Sequence, residues 1–559
     1  MRVPADVNPF VGLRPFERDD SLFYFGRGEQ VQSLLELLNR ERFLVVVGSS
    51  GCGKSSLVRA GLIPALEGGF LVQDRDRWRF ATLKPGEEPV HHLAAALIEL
   101  SSPGAAEACE DEQTASDLAG RLNEEGIDAA LQRLGSADDA GQTNLLLLVD
   151  QFEELFRYGL SSGDLRARAK AETFVALLLG LARQERLPVY VCMTMRSDFL
   201  GDCDAFIGLP EAINGGQFLV PRLTRAQRQQ AIEGPIRLAE AQISARLVDR
   251  LLNEGLETRD DLPILQHLLM RVWDAWARAR SGPIDLVHYN QVHGLHRALD
   301  RHAEEALDDL SAADRGIARQ LFQTLTELDP GNRRIRRPAH LSEVAAVAGV
   351  PVARVMQVID GFRSQGRSFL TVSSEDPADA PLIDISHESL IRQWQTLGRW
   401  VDEEAASGKL YRRLAETAAL YEKGQAGLYH DVDLTQTLAW QRRYRPNADW
   451  ARRYPGDFGQ AMAFLRESRI ARCNEQRERK RARSEREQLL RETAELAQRK
   501  ARMGRHWAIA MALVATLMLV AAGAAWFFWY ETSLQTQRAQ AATREAERQL
   551  VNANLNLAQ

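Results

Sequence analysis

FLVVVGSSGCGKS, Phe43–Ser55, is the stretch on which the fold turns. Its first half is a short apolar, β-branched run. Its second half, Gly48–Ser55, matches GxxxxGK[ST] in full. An apolar strand that ends in glycine and opens a helix is the setting this pattern requires. Glycines let backbone N–H groups curl around phosphate oxygens, and a helix N-terminus adds partial positive charge. Gly48, Ser49, Ser50, Gly51, Cys52 and Gly53 form the expected cradle, with Ser56 just beyond it. Lys54 is expected to reach the β- and γ-phosphates, and the Ser55 hydroxyl to ligate Mg²⁺. Cys52 reads as a small residue rather than a reactive thiol.

Outward from this stretch, strand and helix signals alternate. WRFATL (Trp78–Leu83), NLLLLVD (Asn144–Asp150) and PVYVCMTMR (Pro188–Arg196) are further strand candidates. Helical patterns separate them, among them Pro89–Leu100 and Ala169–Arg186. The alternation predicts an α/β P-loop NTPase with a parallel, helix-covered sheet. LLLLVDQFEE (Leu145–Glu154) ends its strand in Asp150, which is expected to hold the Mg²⁺ shell opposite Ser55. Glu153 and Glu154 are the candidates to orient or deprotonate the attacking water. Gln151, not a second acid, follows Asp150, so the choice stays open, with Glu153 preferred. Arg196, in MTMRSDF, stands at the carboxyl end of another strand, where ligands of such sheets sit. It reads as a γ-phosphate contact, or else as an ion-pair partner of Asp198 or Asp202.

From Pro221 to Asp309 helical periodicity replaces strands. Ser311–Trp400 reads helix, helix, helix, strand, turn, strand, helix, the order of a winged helix-turn-helix, with SSEDPADAP (Ser373–Pro381) as wing loop. The expected organisation is a P-loop NTPase domain over 1–220, an all-α lid over 221–310 and a winged helix over 311–400. A helical extension (401–465), a charged stalk (466–506), a transmembrane helix (507–530) and a short helical tail (531–559) follow.

The stalk, Arg466–Arg505, carries fourteen Lys/Arg against seven Glu, a solvated helix in pattern. Trp507–Tyr530 is uncharged over 24 residues, about 36 Å of helix against a hydrocarbon core of roughly 30 Å. Arg499, Lys500, Arg502 and Arg505 precede it, Glu531 follows it, and Trp526, Trp529 and Tyr530 cluster at one end. The expectation is a single-pass inner or plasma membrane protein, its N-terminal side cytoplasmic and its C-terminus outside. MRVPADVNPF at the start carries no apolar run, so no cleaved signal is expected.

Composition bounds the rest. Of 559 residues, 45% are hydrophobic and 26% charged, which excludes a mainly disordered or fibrous chain. The net charge of −6 gives no general reason to expect a nucleic-acid partner. Five dispersed cysteines, Cys52, Cys109, Cys192, Cys203 and Cys473, argue against a disulfide framework and a zinc site.

Several segments together carry a resemblance. NPFVGLRPFERDDSLFYFGRGEQVQSLLELL and GSSGCGKSSLVRAGLIPAL are followed, in order, by LLLLVDQFEELF, MRSDFLGDC, AIEGPIRLAE, LPILQHLLMRVWDAW and ISHESLIRQW. From about Asn8 to Trp400 the chain resembles the novel STAND NTPases, signal-transduction ATPases related to AAA+ proteins. The resemblance implies that Phe25, Gly26 and Arg27 lie beside the adenine and favour ATP over GTP. It implies that Pro263 touches base or ribose and that His387 senses the β-phosphate in an inactive ADP form. It further implies a closed ADP state, an oligomerising ATP state and slow hydrolysis. Relatives often carry WD-repeat sensors or a preceding effector. No propeller period appears in Glu531–Gln559, and the P-loop starts near the N-terminus, so the expectation is either a truncated relative or an unknown sensor or effector protein as partner.

Two other readings compete. A transcription regulator would use Pro351–Arg367 as recognition helix, with Arg354, Arg363 and Arg367 on it and Arg333, Arg334, Arg336 and Arg337 ahead of it. Those last four read rather as a basic surface facing the acidic NTPase domain, the preferred reading. A metabolic kinase or transporter ATPase finds no acceptor-pocket motif and no multispan bundle.

Overall fold

The computed structural model describes residues 7–69, 75–101, 110–136, 143–157, 165–254, 261–329, 331–364, 366–373 and 381–556. Cys109 and nearly all of the expected wing loop lie outside the described residues. The chain packs as two units, Met1–Ala415 with Tyr444–Phe458, and Glu416–Arg443 with Gly459–Gln559.

The first unit begins with a five-stranded sheet: β1 (Phe43–Gly48), β2 (Trp78–Leu83), β3 (Asn144–Val149), β4 (Val189–Arg196) and β5 (Gln217–Leu219). Every pairing is parallel, in the order β2-β3-β4-β1-β5. Phe43, Val45 and Val47 of β1 join Leu145, Leu147 and Val149 of β3 in one core. Leu44 and Val46 join Leu146 and Leu148 in the core on the other face. Both faces are therefore buried, which explains why these strands read as unbroken apolar runs. Helix Leu165–Arg183 covers the first face with Phe174 and Leu178, and helix Gly28–Arg40 covers the second with Leu34 and Leu38. The sequence reading missed β5, an edge strand of only three residues, whose apolar Phe218 and Leu219 make too short a run to read as a strand.

Five helices follow: Arg225–Leu238, Ala245–Asn253, Asp261–Ala277, Leu286–Gln291 and Ala298–Asp308. Their core, built on Ile232, Leu251, Leu268 and Trp273, also takes in Phe10 from the N-terminal arm.

The next segment packs around Phe322, Phe362 and Trp394 and takes in Leu13 of the same arm. Helices Ala312–Thr324, Leu341–Ala348 and Val352–Arg363 stand beside a three-stranded antiparallel sheet. Its order is β8 (Ala339–His340), β10 (Leu382–Ile385), β9 (Leu370–Ser373). The expected helix–strand order lacked two features. A hairpin of β6 (Thr326–Leu328) and β7 (Arg334–Arg336) lies between the first two helices, and β8 adds a third strand to the sheet. TEL and RIR hold one apolar residue each, Leu328 and Ile335, so neither carries an apolar strand signal. Helices Glu388–Gln393 and Gln395–Glu422 close the segment.

In the second unit, Phe464 packs edge-on against Tyr429 at 5.1 Å and tilted against Tyr421 at 5.3 Å. Leu434 and Trp440 of helix Asp431–Tyr444 are buried. Helix Phe458–Asn556 continues without a break through the charged stretch and the apolar stretch. It is long and apolar enough to cross a membrane, with a mean hydropathy of 2.3 over its best window. Leu517, Leu519 and Trp529 on it are exposed.

Candidate nucleotide site

The loop between β1 and the next helix has the geometry of a phosphate cradle. Gly51 and Gly53 have φ of +74° and +91°, a region that glycine enters without strain. A Cβ on Gly48 would sit 2.6 Å from Cys52 Sγ, so a larger residue there would force the loop to shift. Lys54 Nζ donates to the Gly48 and Ser49 carbonyls at 3.1 and 2.9 Å. Arg27, buried, braces the loop from behind. It donates to Cys52 O at 3.0 Å and to Pro221 O at 2.7 Å.

Beneath the cradle, Ser55 Oγ donates to Asp150 Oδ1 at 2.8 Å. Thr194 Oγ1, from β4, donates to the same oxygen at 2.5 Å. Arg59 donates to Asp150 Oδ2 at 2.8 Å. Burial pushes the Asp150 carboxyl up, but Arg59 and the two hydroxyls outweigh it and hold the group below the usual carboxylate range. Gln151, at φ +58°, is an unusual left-handed residue whose N–H reaches Thr194 Oγ1 at 3.0 Å.

A cavity of about 1150 Å³ opens above the loop. Ser50, Gly51, Gly53, Lys54, Ser55 and Ser56 line it from the cradle. Phe25, Arg27, Glu153, Glu154, Arg196, Pro263 and His387 line it from elsewhere. Asp150 is buried behind Ser55. Gly26, at φ +85°, serves packing, since a Cβ there would meet Gln227 O at 2.3 Å. The ring of Phe25 lies where Gly234 offers no side chain.

The two glutamates differ in their surroundings. Glu153 Oε2 accepts the Arg196 backbone N–H at 3.2 Å, and Lys54 and the Arg196 guanidinium act on its charge. Burial nevertheless holds its carboxyl above the usual range. Glu154 faces Lys84 and Arg336 instead, and burial lifts it to about 7.

Arg196 makes two ion pairs, with Asp198 and Glu388, both at 2.7 Å. The expected alternative partner Asp198 is thus real, and Glu388 is one the sequence reading missed. Glu388 stands next to His387 at the head of helix Glu388–Gln393 and also accepts from Arg392 at 2.7 Å. His387 caps that helix. Its Nδ1 accepts the Ser389 N–H at 3.1 Å, which leaves the proton on Nε2. Burial, then the nearby Arg336, lower its pKa to about 3.

The four arginines ahead of the expected recognition helix each pair within their own segment, and Arg333, Arg334 and Arg336 also line the cavity that Glu153 and Glu154 of the NTPase domain line. Arg333 pairs with Asp329, Arg334 with Asp402, Arg336 with Asp384 and Arg337 with Glu343. These acids belong to their own hairpin or to elements packed on it. Arg336 additionally acts on Glu154 across the cavity. The expected recognition helix ends at Arg363. Arg367 is buried beyond it, paired with Asp309, while Arg354 pairs with Asp314.

These residues fit a magnesium nucleotide. Among the described residues no group of three or more His, Cys, Asp or Glu gathers to hold a metal. The Ser55–Asp150 pair would be the sparse protein contribution that Mg²⁺ takes when phosphates and water complete its shell.

A parallel sheet with this loop at the end of β1 and a buried aspartate after β3 defines a P-loop nucleotide-binding NTPase. The chain belongs to the novel STAND NTPase 1 family, whose sequence model matches residues 9–427. A search of curated proteins gave no match. Among solved structures, the Aeropyrum pernix ORC1 protein in complex with DNA is similar at 14% identity and TM-score 0.36, covering 68% of this chain and 93% of its own. The Aeropyrum pernix ORC2 protein in ADPNP–ADP complexes is similar at 12% identity and TM-score 0.34, covering 68% and 95%. A Walker-type ATPase of Pyrococcus abyssi is similar at 14% identity and TM-score 0.33, covering 68% and 98%.

Proposed function

We propose that this chain is a magnesium-dependent ATP switch, anchored in a membrane through 507–530, that assembles in its ATP state and hydrolyses ATP slowly, in signalling or defence. The Arg196–Glu388 ion pair carries the reading. It joins the carboxyl end of β4, on the NTPase sheet, to the segment of helices and sheet after 311, which we read as a winged-helix lid. An incoming γ-phosphate is an anion in competition with Glu388 for the same guanidinium. ADP lacks that anion, and a ligand shifts a two-state equilibrium only by its differential affinity.

In this reading Lys54 offsets the charge of the β- and γ-phosphates, and Ser55 and Asp150 hold the metal. Magnesium, when bound, supplies charge neutralisation and orientation of the phosphates. Glu153 orients the attacking water, because it is the glutamate that Lys54 and Arg196 face, with Glu154 as the alternative. His387, neutral and protonated on Nε2, offers a donor suited to the β-phosphate of ADP. Phe25 and Pro263 line the base side. Arg27 acts indirectly, by bracing the loop. The pairing of Arg354 and Arg367 supports a switch over a DNA-binding regulator. Residues 221–310 act as the lid's helical half. The positive flank before Trp507 supports a cytoplasmic NTPase with the C-terminus outside.

Glu388→Gln tests the central contact. It keeps the volume but removes the charge, so the variant with ADP should contain more oligomer than wild type by light scattering. An unchanged monomer fraction would reject the ion pair as the switch.

A further inference from the structure

Arg59 lies in the segment that continues the P-loop, outside Gly48–Ser55 itself, yet it touches the metal-site carboxylate. It lies four residues after Ser55, in the turn Leu57–Leu62 of the helix that leaves the cradle. That turn is π-wound, a local departure that occurs often at functional sites. Its two terminal nitrogens hold two different acids. One donates to Asp150 Oδ2 at 2.8 Å, the other to Glu17 Oε1 at 2.7 Å. Asp150 Oδ1 is left to Ser55 and Thr194. Both carboxylate oxygens are thus engaged from fixed directions, and the plane of the group is set.

Glu17 continues the N-terminal arm. Phe16 N–H donates to Ser56 Oγ at 3.1 Å, Leu13 enters the core around Phe322, and Phe10 enters the core around Trp273. The arm therefore touches the P-loop helix and both later segments. We propose that Arg59 is a positioning residue for the metal site, fixing the Asp150 carboxylate toward Ser55 and linking it through Glu17 to the N-terminal arm. A planar fork can serve two carboxylates at once, whereas an ammonium is a single point charge. The proposal rests on the reading of this site as a magnesium-nucleotide site.

The test uses the full chain in detergent, with fluorescent methylanthraniloyl-ADP as probe, titrated with Mg²⁺ and repeated in EDTA. Electron paramagnetic resonance of Mn²⁺ with ADP gives metal occupancy independently of turnover. Arg59→Gln should leave binding in EDTA within about twofold and raise the metal half-saturation about 10–100-fold, the usual effect of losing an outer partner of a metal ligand. Arg59→Lys should fall between wild type and Gln. Glu17→Gln, at the half-exposed end of the chain of contacts, should raise it less than Arg59→Gln does. An unchanged half-saturation in a folded Arg59→Gln would overturn the proposal. So would equal losses in EDTA and Mg²⁺, which would make Arg59 a fold residue. If Arg59→Gln does not fold, Arg59→Lys and Glu17→Gln decide by the same criteria. A wild type that binds the probe without any metal response rejects the underlying site reading instead.

Discussion

Arg196 Nη1 lies 2.7 Å from Glu388 Oε1, although the two residues are 192 positions apart. Burial raises the Glu388 carboxyl, but Arg196, Arg336 and Arg392 together bring it below the usual range. Glu388 is thus a charged group held inside the cavity wall by three cations. Such a pair costs about 3–5 kcal/mol when one partner is removed without replacement. An anion that replaces Glu388 at Arg196 avoids that cost, which is the physical basis for reading the contact as a clasp.

His387→Ala removes both the cap of helix Glu388–Gln393 and the Nε2–H donor. Loss of a cap alone costs about 1 kcal/mol of local stability. The switch reading adds weaker ADP retention and more oligomer without ATP. Light scattering with ADP checks it, and monomers as stable as wild type would leave His387 a helix cap only.

Lys54→Ala should abolish ATP binding, because it removes the side-chain cation of the cradle. Asp150→Ala should retain part of the binding and lose Mg²⁺-dependent turnover. Nucleotide retention and phosphate release measure the two effects. Wild-type turnover in either variant would contradict the site.

Stability should fall in mild acid. His267 and His302 are buried, with Nε2 and Nδ1 3.0 Å apart. Burial lowers their pKa values to about 3 and about 2, against an ordinary 6.5. In the folded state they stay neutral, while the unfolded chain takes up protons below 6.5. Each therefore lowers stability as pH falls below 6.5, by on the order of 1 kcal/mol per pH unit. Glu154, lifted to about 7 by burial, binds its proton in the folded state first and opposes the trend between 7 and its ordinary value of 4.5. Three buried histidines, His267, His302 and His387, outweigh the two raised carboxyls Glu154 and Glu153, so the melting temperature should drop between pH 6.5 and 5.5. His267→Gln with His302→Gln should flatten or reverse that slope. A double variant with the wild-type slope would contradict the assignment.

The sheet and its loop were legible because β1 and β3 are buried on both faces and their motifs are local in sequence. β5 was not, since Phe218 and Leu219 make too short an apolar run to stand out as a strand. The β6–β7 hairpin was hidden by its arginines, which read as a basic patch until their acidic partners were placed. Glu388 and Arg59 were invisible for a different reason. Each is defined by a partner far away in sequence, and only folding reveals it. One signal was available for Arg59, namely its spacing of four from Ser55 on a helix. The FGR element resembled a base-binding group, but the direction of Arg27, toward the loop carbonyl of Cys52, is a tertiary fact.

Trp507–Tyr530 should cross the membrane once. A reporter active only outside the cytoplasm should work when fused at the C-terminus and be silent at the N-terminus. Silence at both ends would contradict a span. Thr516 does not oppose insertion, because its hydroxyl bonds Ala512 O at 2.7 Å within the same helix.

The central claim is that the nucleotide sets the assembly state. Its most direct test is the mass of the full chain in detergent, by light scattering, with Mg²⁺–ADP and with a non-hydrolysable Mg²⁺–ATP analogue. Turnover followed in parallel should lie far below the median enzyme rate of about 10 s⁻¹. The account predicts monomers with ADP and oligomers with the analogue, the latter lost in Lys54→Ala. The same mass in both nucleotides, with turnover at or above that median rate, would contradict it.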